Sequence, residues 1–276
     1  MERPMSLLET NLPAIRAEAP SQFHVLTVVS AILLAVSVAW GLVDARLIDG
    51  VPVWMKPLKF ALSFVALFGT IALVERQMSP AARGGWTLKI TGWVMAAAFL
   101  SEMAYMMYQG ARGEASHFNV GTPFHRFMYE VVMAAGAVSL VLGVAVIGWL
   151  VKRDRAAGLG AGLREGIWLG FAATFGLTMI TAGYLSVNGG HFVGLHTEDA
   201  ATVPLFGWSG VTGDLRPAHF ASIHVMQVMP LLGLWLDRRG EDAAVRGVRI
   251  GTVAYAVLTL ALFAQALMGM PLIPLG

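Results

Sequence analysis

The 276-residue sequence contains no cysteine. That excludes disulfides, thiolate metal sites, CxxC redox chemistry and covalent c-type haem attachment together. Any bound metal would have to use His, Met, Asp, Glu, Tyr or backbone oxygen. Charge is scarce too: Asp, Glu, Lys and Arg make up 13% of the chain, against about 25% in an average soluble protein. Alternating strand-like segments of about ten residues are missing, which argues against a membrane β-barrel. HExxH, GxSxG, a P-loop and the HxxxH or HxxHH sets of membrane desaturases are all absent. The last apolar span carries no lysine for a Schiff base, which excludes a retinal protein. Ser209, in GWSGVTGD, has glycines around it but no spacing that marks a nucleophile.

What is present is apolar length. Hydrophobic residues are 57% of the chain and come in blocks of about 18 to 25, enough to cross about 30 Å of hydrocarbon as helix. Seven spans are expected, at about 23–43, 54–74, 87–109, 127–151, 166–187, 218–236 and 249–270. The fold expected is an all-α integral membrane bundle of seven transmembrane helices in a bacterial inner membrane. Residues 1–22, with Glu2, Arg3, Arg16 and Glu18 and no apolar run, read as a cytoplasmic tail. Residues 23–276 read as one seven-helix domain with a long outside loop at about 188–217. Ala35 to Ala39 loosely imitates a cleavage site, but 23–43 is read as a retained helix. Thirteen of the 19 Lys and Arg fall on one side of these spans, which places the N-terminus in the cytoplasm and the C-terminus outside. The net charge of +2 is small, so the basic loops report orientation and imply no nucleic-acid partner.

The two sides differ in character. Inside connections such as KRDRAAGLGAGLREG are short and basic and read as plain solvated turns. Outside connections are aromatic and carry His: VPVWMKPLKF, ARGEASHFNVGTPFHRFMYE, and the long stretch from Gly189 to His219. Loops of that length are usually functional or disordered, and the aromatic content argues against disorder. HFVGLH (His191 to His196) and HFASIH (His219 to His224) share a spacing, too short to claim a duplication.

Chemistry-bearing residues gather on the outside. Of seven His, only His24 lies inside; His117, His125, His191, His196, His219 and His224 lie in or just below the outside loops. His219 and His224 are five apart, rotated by about 140° on a helix, so they face different partners unless His219 precedes the helix. His224 and Gln227, three apart, share a face. Glu102 lies about two turns inside the third span with Tyr105 and Gln109 on its stripe, and a carboxylate there costs about 2.5–3.5 kcal/mol unless protonated, paired or wet. Glu130 is a second, shallower acid. A structural role, pairing with Arg126, Arg216 or a histidine, is the alternative for both acids. Lys56 and Lys59 in WMKPLKF suit an anion such as a phospholipid headgroup, a haem propionate or a carboxylate substrate, or else snorkel to lipid. Ten of the 15 methionines, Met103, Met106 and Met226 among them, lie in outer halves of spans, where thioethers either fill space or ligate soft metals.

With WMKPLKFALS, SHFN, GDLRPAHFASIH and the following Gln227-x-x-Pro230, the chain resembles a group of bacterial multi-pass membrane proteins that carry no assigned activity. The resemblance spans the second to the sixth helix and points to Lys56, Lys59, His117, Asn119, Asp214, Arg216, His219, His224 and Gln227 without giving them roles.

The leading expectation is an outside-facing site that binds b-type haem or copper for redox or metal handling. His117, His125, His219 and His224 are the candidate metal ligands; Glu102, Glu130 and His224 the candidate catalytic or proton-carrying groups. Lys56, Lys59, Asn119, Arg126, Asp214, Arg216 and Gln227 are the candidate cofactor- or anion-binding residues. Two alternatives stand beside it. One is a proton-coupled transporter or channel lined by Glu102, Tyr105, Gln109, His224, Gln227 and Gln265, with Pro230 breaking a helix; the other is an accessory subunit with no chemistry.

Overall fold

The computed structural model describes residues 21–197 and 199–275, so the expected N-terminal tail lies almost wholly outside the described residues. It holds seven helices long and apolar enough to cross a membrane. We label them α1 (Gln22–Gly41), α2 (Met55–Gln77), α3 (Trp86–Arg112), α4 (Pro123–Arg153), α5 (Ala161–Val187), α6 (Arg216–Arg239) and α7 (Glu241–Leu267). The chain is a seven-helix multi-pass membrane protein. Each helix is 20 to 31 residues long; at about 1.5 Å per residue even the shortest spans the hydrocarbon.

Several helices begin further out than the apolar pattern predicts, and local chemistry explains it. Thr122 caps α4 by accepting from the His125 N–H, with Pro123 in the first turn, so α4 starts at Pro123 rather than near 127. Pro217 likewise lies in the first turn of α6, which puts His219 inside the helix. α3 runs on to Arg112 and stops at Gly113, whose φ of 73° suits glycine. Within α4, Met128–Met133 form a π-helical turn.

The tightest packing is between α5 and α6. Gly162, Gly166 and Gly170 repeat every fourth residue and line the face of α5 turned to α6. A Cβ on Gly162 would lie 2.6 Å from the Gly233 carbonyl oxygen, one on Gly170 would lie 2.9 Å from that of Val225, and one on Gly166 would collide with that of Met229. In hydrocarbon, where apolar burial drives little, such close backbone contact is a main source of helix association. Pro230, beside this contact, provides no N–H for the Met226 carbonyl. Further out, Thr178 and Thr181 each lie 3.1 Å from Ser222 Oγ, which donates to the His219 carbonyl. A second core, between α1, α2, α3 and α4, is built on Phe23, Phe64, Phe68, Phe99, Met95 and Met103. Phe99 meets Phe64 and Phe68 edge-on at 4.7 and 5.2 Å.

The basic end is more tightly tied than the plain solvated turns expected of it. Asp237 accepts from the N–H groups of Gly162 (2.7 Å) and Leu163 (3.1 Å), so a carboxylate of α6 caps the N-terminus of α5. Asp154 accepts from the Ser79 N–H at 2.7 Å, and Arg164 donates to the carbonyls of Val151 and Ala157. At the other end, Phe192–Val193 pairs antiparallel with Gly213–Asp214 and closes the base of the long loop. Phe206 and Trp208, stacked at 4.3 Å, pack on Phe220 of α6. The Leu275 N–H donates to the Gly210 carbonyl, tying the C-terminal segment to the same loop.

Gly166→Val should therefore destabilise the bundle by about 1–3 kcal/mol through overpacking against α6 backbone. Gly176→Val, on a glycine with nothing within 4 Å of a built Cβ, should not. Thermal unfolding of the two detergent-solubilised variants against the parent checks this.

Candidate functional site

At the end of the bundle with the long loops, four segments converge: the start of α2, the loop 113–122, the long loop 188–215, and the first turns of α6. Their polar side chains form a mouth. Lys56 lies in the first turn of α2, half-buried, and its ammonium makes no hydrogen bond or ion pair with any described residue. It lies close enough to His117 and His191 to act on both electrostatically.

His117 packs between Phe60 (5.3 Å) and Tyr129 (6.0 Å), with Nδ1 3.1 Å from Ser116 Oγ. The backbone beside it is held in an uncommon state. Phe118 has φ 58°, a conformation that costs a non-glycine residue about 1–3 kcal/mol. Its ring is fixed against Tyr129 (5.2 Å) and His191 (5.3 Å), and Asn119 Nδ2 donates to the Ala115 carbonyl at 2.9 Å. SHFN is thus a turn that delivers His117 and Phe118 to the mouth. His191 stands at the first crossing of the long loop, where its carbonyl accepts from the Leu215 N–H at 2.9 Å. His219 approaches from α6, with a buried Nδ1 that has no partner among the described residues.

Asp214 is fully committed. It accepts from Arg216 N (2.9 Å), Nε (2.9 Å) and Nη2 (2.6 Å) and from Ser209 N (2.8 Å). The guanidinium also donates to the Gly207 carbonyl and lies over the Phe192 ring at 5.1 Å. Ser209 is buried in this turn with Oγ 3.1 Å from His196 Nδ1, a structural placement for both. Lys59 donates to the Phe206 carbonyl at 3.0 Å and lies within electrostatic reach of Arg216. The mouth thus holds three cations, Lys56, Lys59 and Arg216, against one carboxylate already neutralised by Arg216. The two loop histidines stay uncharged near neutral pH. Burial, then Lys56 and His191, hold His117 well below the usual histidine range. Burial, then Arg216 and Lys56, bring His191 down to about 4 from 6.5.

His224 and Gln227 share a face as the spacing predicts: Nδ1 lies 3.2 Å from Gln227 Oε1, and Gln227 Nε2 donates to Thr70 Oγ1 of α2 at 3.2 Å. His219 and His224, both helical, serve different partners. The likeness of HFVGLH to HFASIH is local chemistry without duplication: Phe192 stacks on His196 at 3.8 Å beyond a strand, and Phe220 packs on His224 at 4.3 Å along a helix.

A second polar group lies apart, on α3. Glu102, Tyr105 and Gln109 are 4%, 7% and 0% exposed. Gln109 Nε2 donates to Glu114 Oε2 and the Ala115 carbonyl, both at 3.3 Å, and Glu114 Oε2 lies 3.5 Å from His125 Nε2. His125 therefore belongs to this group and not to the mouth.

The structure does not gather the four histidines expected as ligands. Among the described residues, no three His, Asp or Glu side chains converge where they could hold a metal ion. Glu130 and Arg126 are exposed, and neither makes a hydrogen bond or ion pair with the side chains of either group. Gln265 donates to the Pro271 carbonyl at 2.7 Å, a tie between α7 and the C-terminal segment. His191 was named among the outside histidines but not as a candidate ligand, and Tyr129, Phe118 and Thr70 were not singled out from sequence. The His-Phe pair at His191 was the available signal for the first; Thr70 is one polar residue in an apolar helix and gave none. No family model, curated protein or solved structure matches the chain.

Because His191 titrates near 4 when folded and near 6.5 when free, the unfolded chain binds more protons between those values. Its contribution to stability is complete above pH 6.5 and is lost as pH falls toward 4. The thermal midpoint should fall across that window, and fall less in His191→Gln; calorimetry of the purified protein over the window reads both.

Proposed function

We propose that the protein binds an anionic small molecule or headgroup, with phosphate or carboxylate as the recognised group, at this mouth on the outer side of a bacterial inner membrane. The observation that carries the reading is the Lys56 ammonium, which has no hydrogen-bond or ion-pair partner among the described residues in a mouth with two further cations and no free carboxylate. An unpaired ammonium beside apolar walls is costly, and an anion offsets that cost. Uncharged His117 and His191 add N–H donors without the repulsion that further positive charge would bring to Lys56. The second ring nitrogen of each can accept a hydrogen bond from a protonated acid.

The outward assignment follows from the 13 Lys and Arg at the opposite end. Haem fits this chemistry through its propionates, which Lys56, Lys59 and Arg216 would hold, with His117, His191 or His219 as axial candidates. Copper is less favoured, because a stable site needs converging ligands and no three His, Asp or Glu converge among the described residues.

Titration of inorganic phosphate, and separately of propionate, into the protein in zwitterionic nanodiscs tests the proposal. One of the two should bind saturably, and Lys56→Met should weaken it about tenfold, equivalent to about 1.4 kcal/mol. Arg126→Met, on an exposed residue outside the mouth, should leave affinity unchanged. Binding insensitive to Lys56→Met, or no binding of either anion, overturns the reading.

A further inference from the structure

The α3 group meets the loop 113–122 of the mouth at Glu114 and the Ala115 carbonyl, and its three helical side chains, Glu102, Tyr105 and Gln109, are not among the anion-binding groups. Each of its three buried side chains has one polar atom without a partner among the described residues: Glu102 Oε1, Tyr105 OH and Gln109 Oε1. A carboxylate in hydrocarbon must be neutralised, and the cations once expected to pair with Glu102 do not reach it. Arg126 is exposed, and Arg216 is committed to Asp214 and Gly207.

The surroundings are shaped for the carboxyl. Gly136 of α4 lies against it, and a Cβ there would be 2.6 Å from Glu102 Oε1. The π-helical turn Met128–Met133 ends three residues before that glycine, and such turns adjust which face of a helix a following residue presents. Gln109 has its amide nitrogen fixed by Glu114 and Ala115, which leaves Oε1 as a committed acceptor. Tyr105 is within electrostatic reach of Glu114.

From Glu102 to Gln109 is seven residues, about 10 Å along the axis. One metal ion cannot take all three oxygens over that distance; water molecules bridging a file of polar groups can. Titratable and charged groups on the helices packed against α3 lie toward helix ends: His24 on α1; Lys56, Lys59, Glu75 and Arg76 on α2; His125, Arg126, Tyr129, Glu130, Lys152 and Arg153 on α4. Of those on α4 toward the outer face, Glu130 is six residues, about 9 Å, from Gly136.

We propose that Glu102 is a proton-binding carboxyl inside the membrane, connected to the outer face by the polar file of Tyr105, Gln109, Glu114 and His125. The step balances simply: hydronium at the outer face gives its proton to the Glu102 carboxylate, leaving a neutral carboxyl and a water molecule. Tyr105 can pass a proton through its hydroxyl, and Gln109 Oε1 holds a water that carries it. The group then supplies the intramembrane half of a proton-coupled device.

Infrared difference spectroscopy of the full-length protein in liposomes, titrated with acid and base, tests this. A carboxylic-acid C=O band should appear on acidification and be missing in Glu102→Gln. Its hydrogen–deuterium exchange should run about tenfold more slowly in Gln109→Leu and Tyr105→Phe, and be unchanged in Arg246→Met, on an exposed residue at the start of α7. If Glu102→Gln does not fold, Gly136→Ala, which presses a methyl group onto Oε1, should shift the band's frequency. A spectrum without such a band in the parent overturns the proposal, as does a band indifferent to Glu102→Gln or, where that variant is lost, to Gly136→Ala. Exchange that ignores Gln109→Leu and Tyr105→Phe also overturns it.

Discussion

A polar atom inside hydrocarbon has no water to turn to, and this constraint orders the polar residues of the bundle. Most are satisfied close to home: Thr174 and Thr181 donate to carbonyls one turn back, Ser222 binds the His219 carbonyl, and Asp214 is saturated by four N–H groups. Against that background the unsatisfied groups stand out. Apart from Glu75 Oε2 in the last turn of α2, those among the described residues fall in two places near the other end of the molecule, around Lys56 and His219 and along Glu102, Tyr105 and Gln109. A membrane protein that carries such groups does so at a cost of a few kcal/mol each, which is the physical reason to read both places as functional.

Both places depend on rigid supports that have no chemistry of their own. The glycine contact of α5 and α6 fixes the helix from which His219 and His224 project, and the Asp237 cap fixes the far end of the same pair. The long loop is fastened to α6 by the Phe192–Val193 and Gly213–Asp214 pairing and by the Phe206, Trp208 and Phe220 cluster. Arg216 has a double part, since it neutralises Asp214 and presents positive charge to the mouth.

The number and placement of the helices were legible in the sequence because hydropathy over about 20 residues records the bilayer directly. Helix ends were less so, since Thr122 and Pro217 extend α4 and α6 by capping chemistry that an apolar count ignores. The His224–Gln227 pair and the Glu102, Tyr105 and Gln109 stripe were readable from helical spacing alone. What sequence could not provide is which helices touch. That is why His125 was grouped with His117 although it sits by Glu114, and why His191, named among the outside histidines, was not put with the candidate ligands. The GxxxGxxxG run of α5 was visible but is informative only once Gly233 and Met229 are known to oppose it.

The anion recognition proposed for the mouth and the proton binding proposed for Glu102 are two elements that a proton-coupled function would combine. The claim on which this rests is that Lys56 has an anionic partner supplied from outside the chain. Native mass spectrometry of the protein released from membranes, together with its absorption spectrum, tests it most directly. The account predicts a bound acidic molecule of discrete mass on the parent, phospholipid, haem or other organic acid, that is lost in Lys56→Met. A parent that flies without any such adduct, or a Lys56→Met variant that keeps it, would contradict the account.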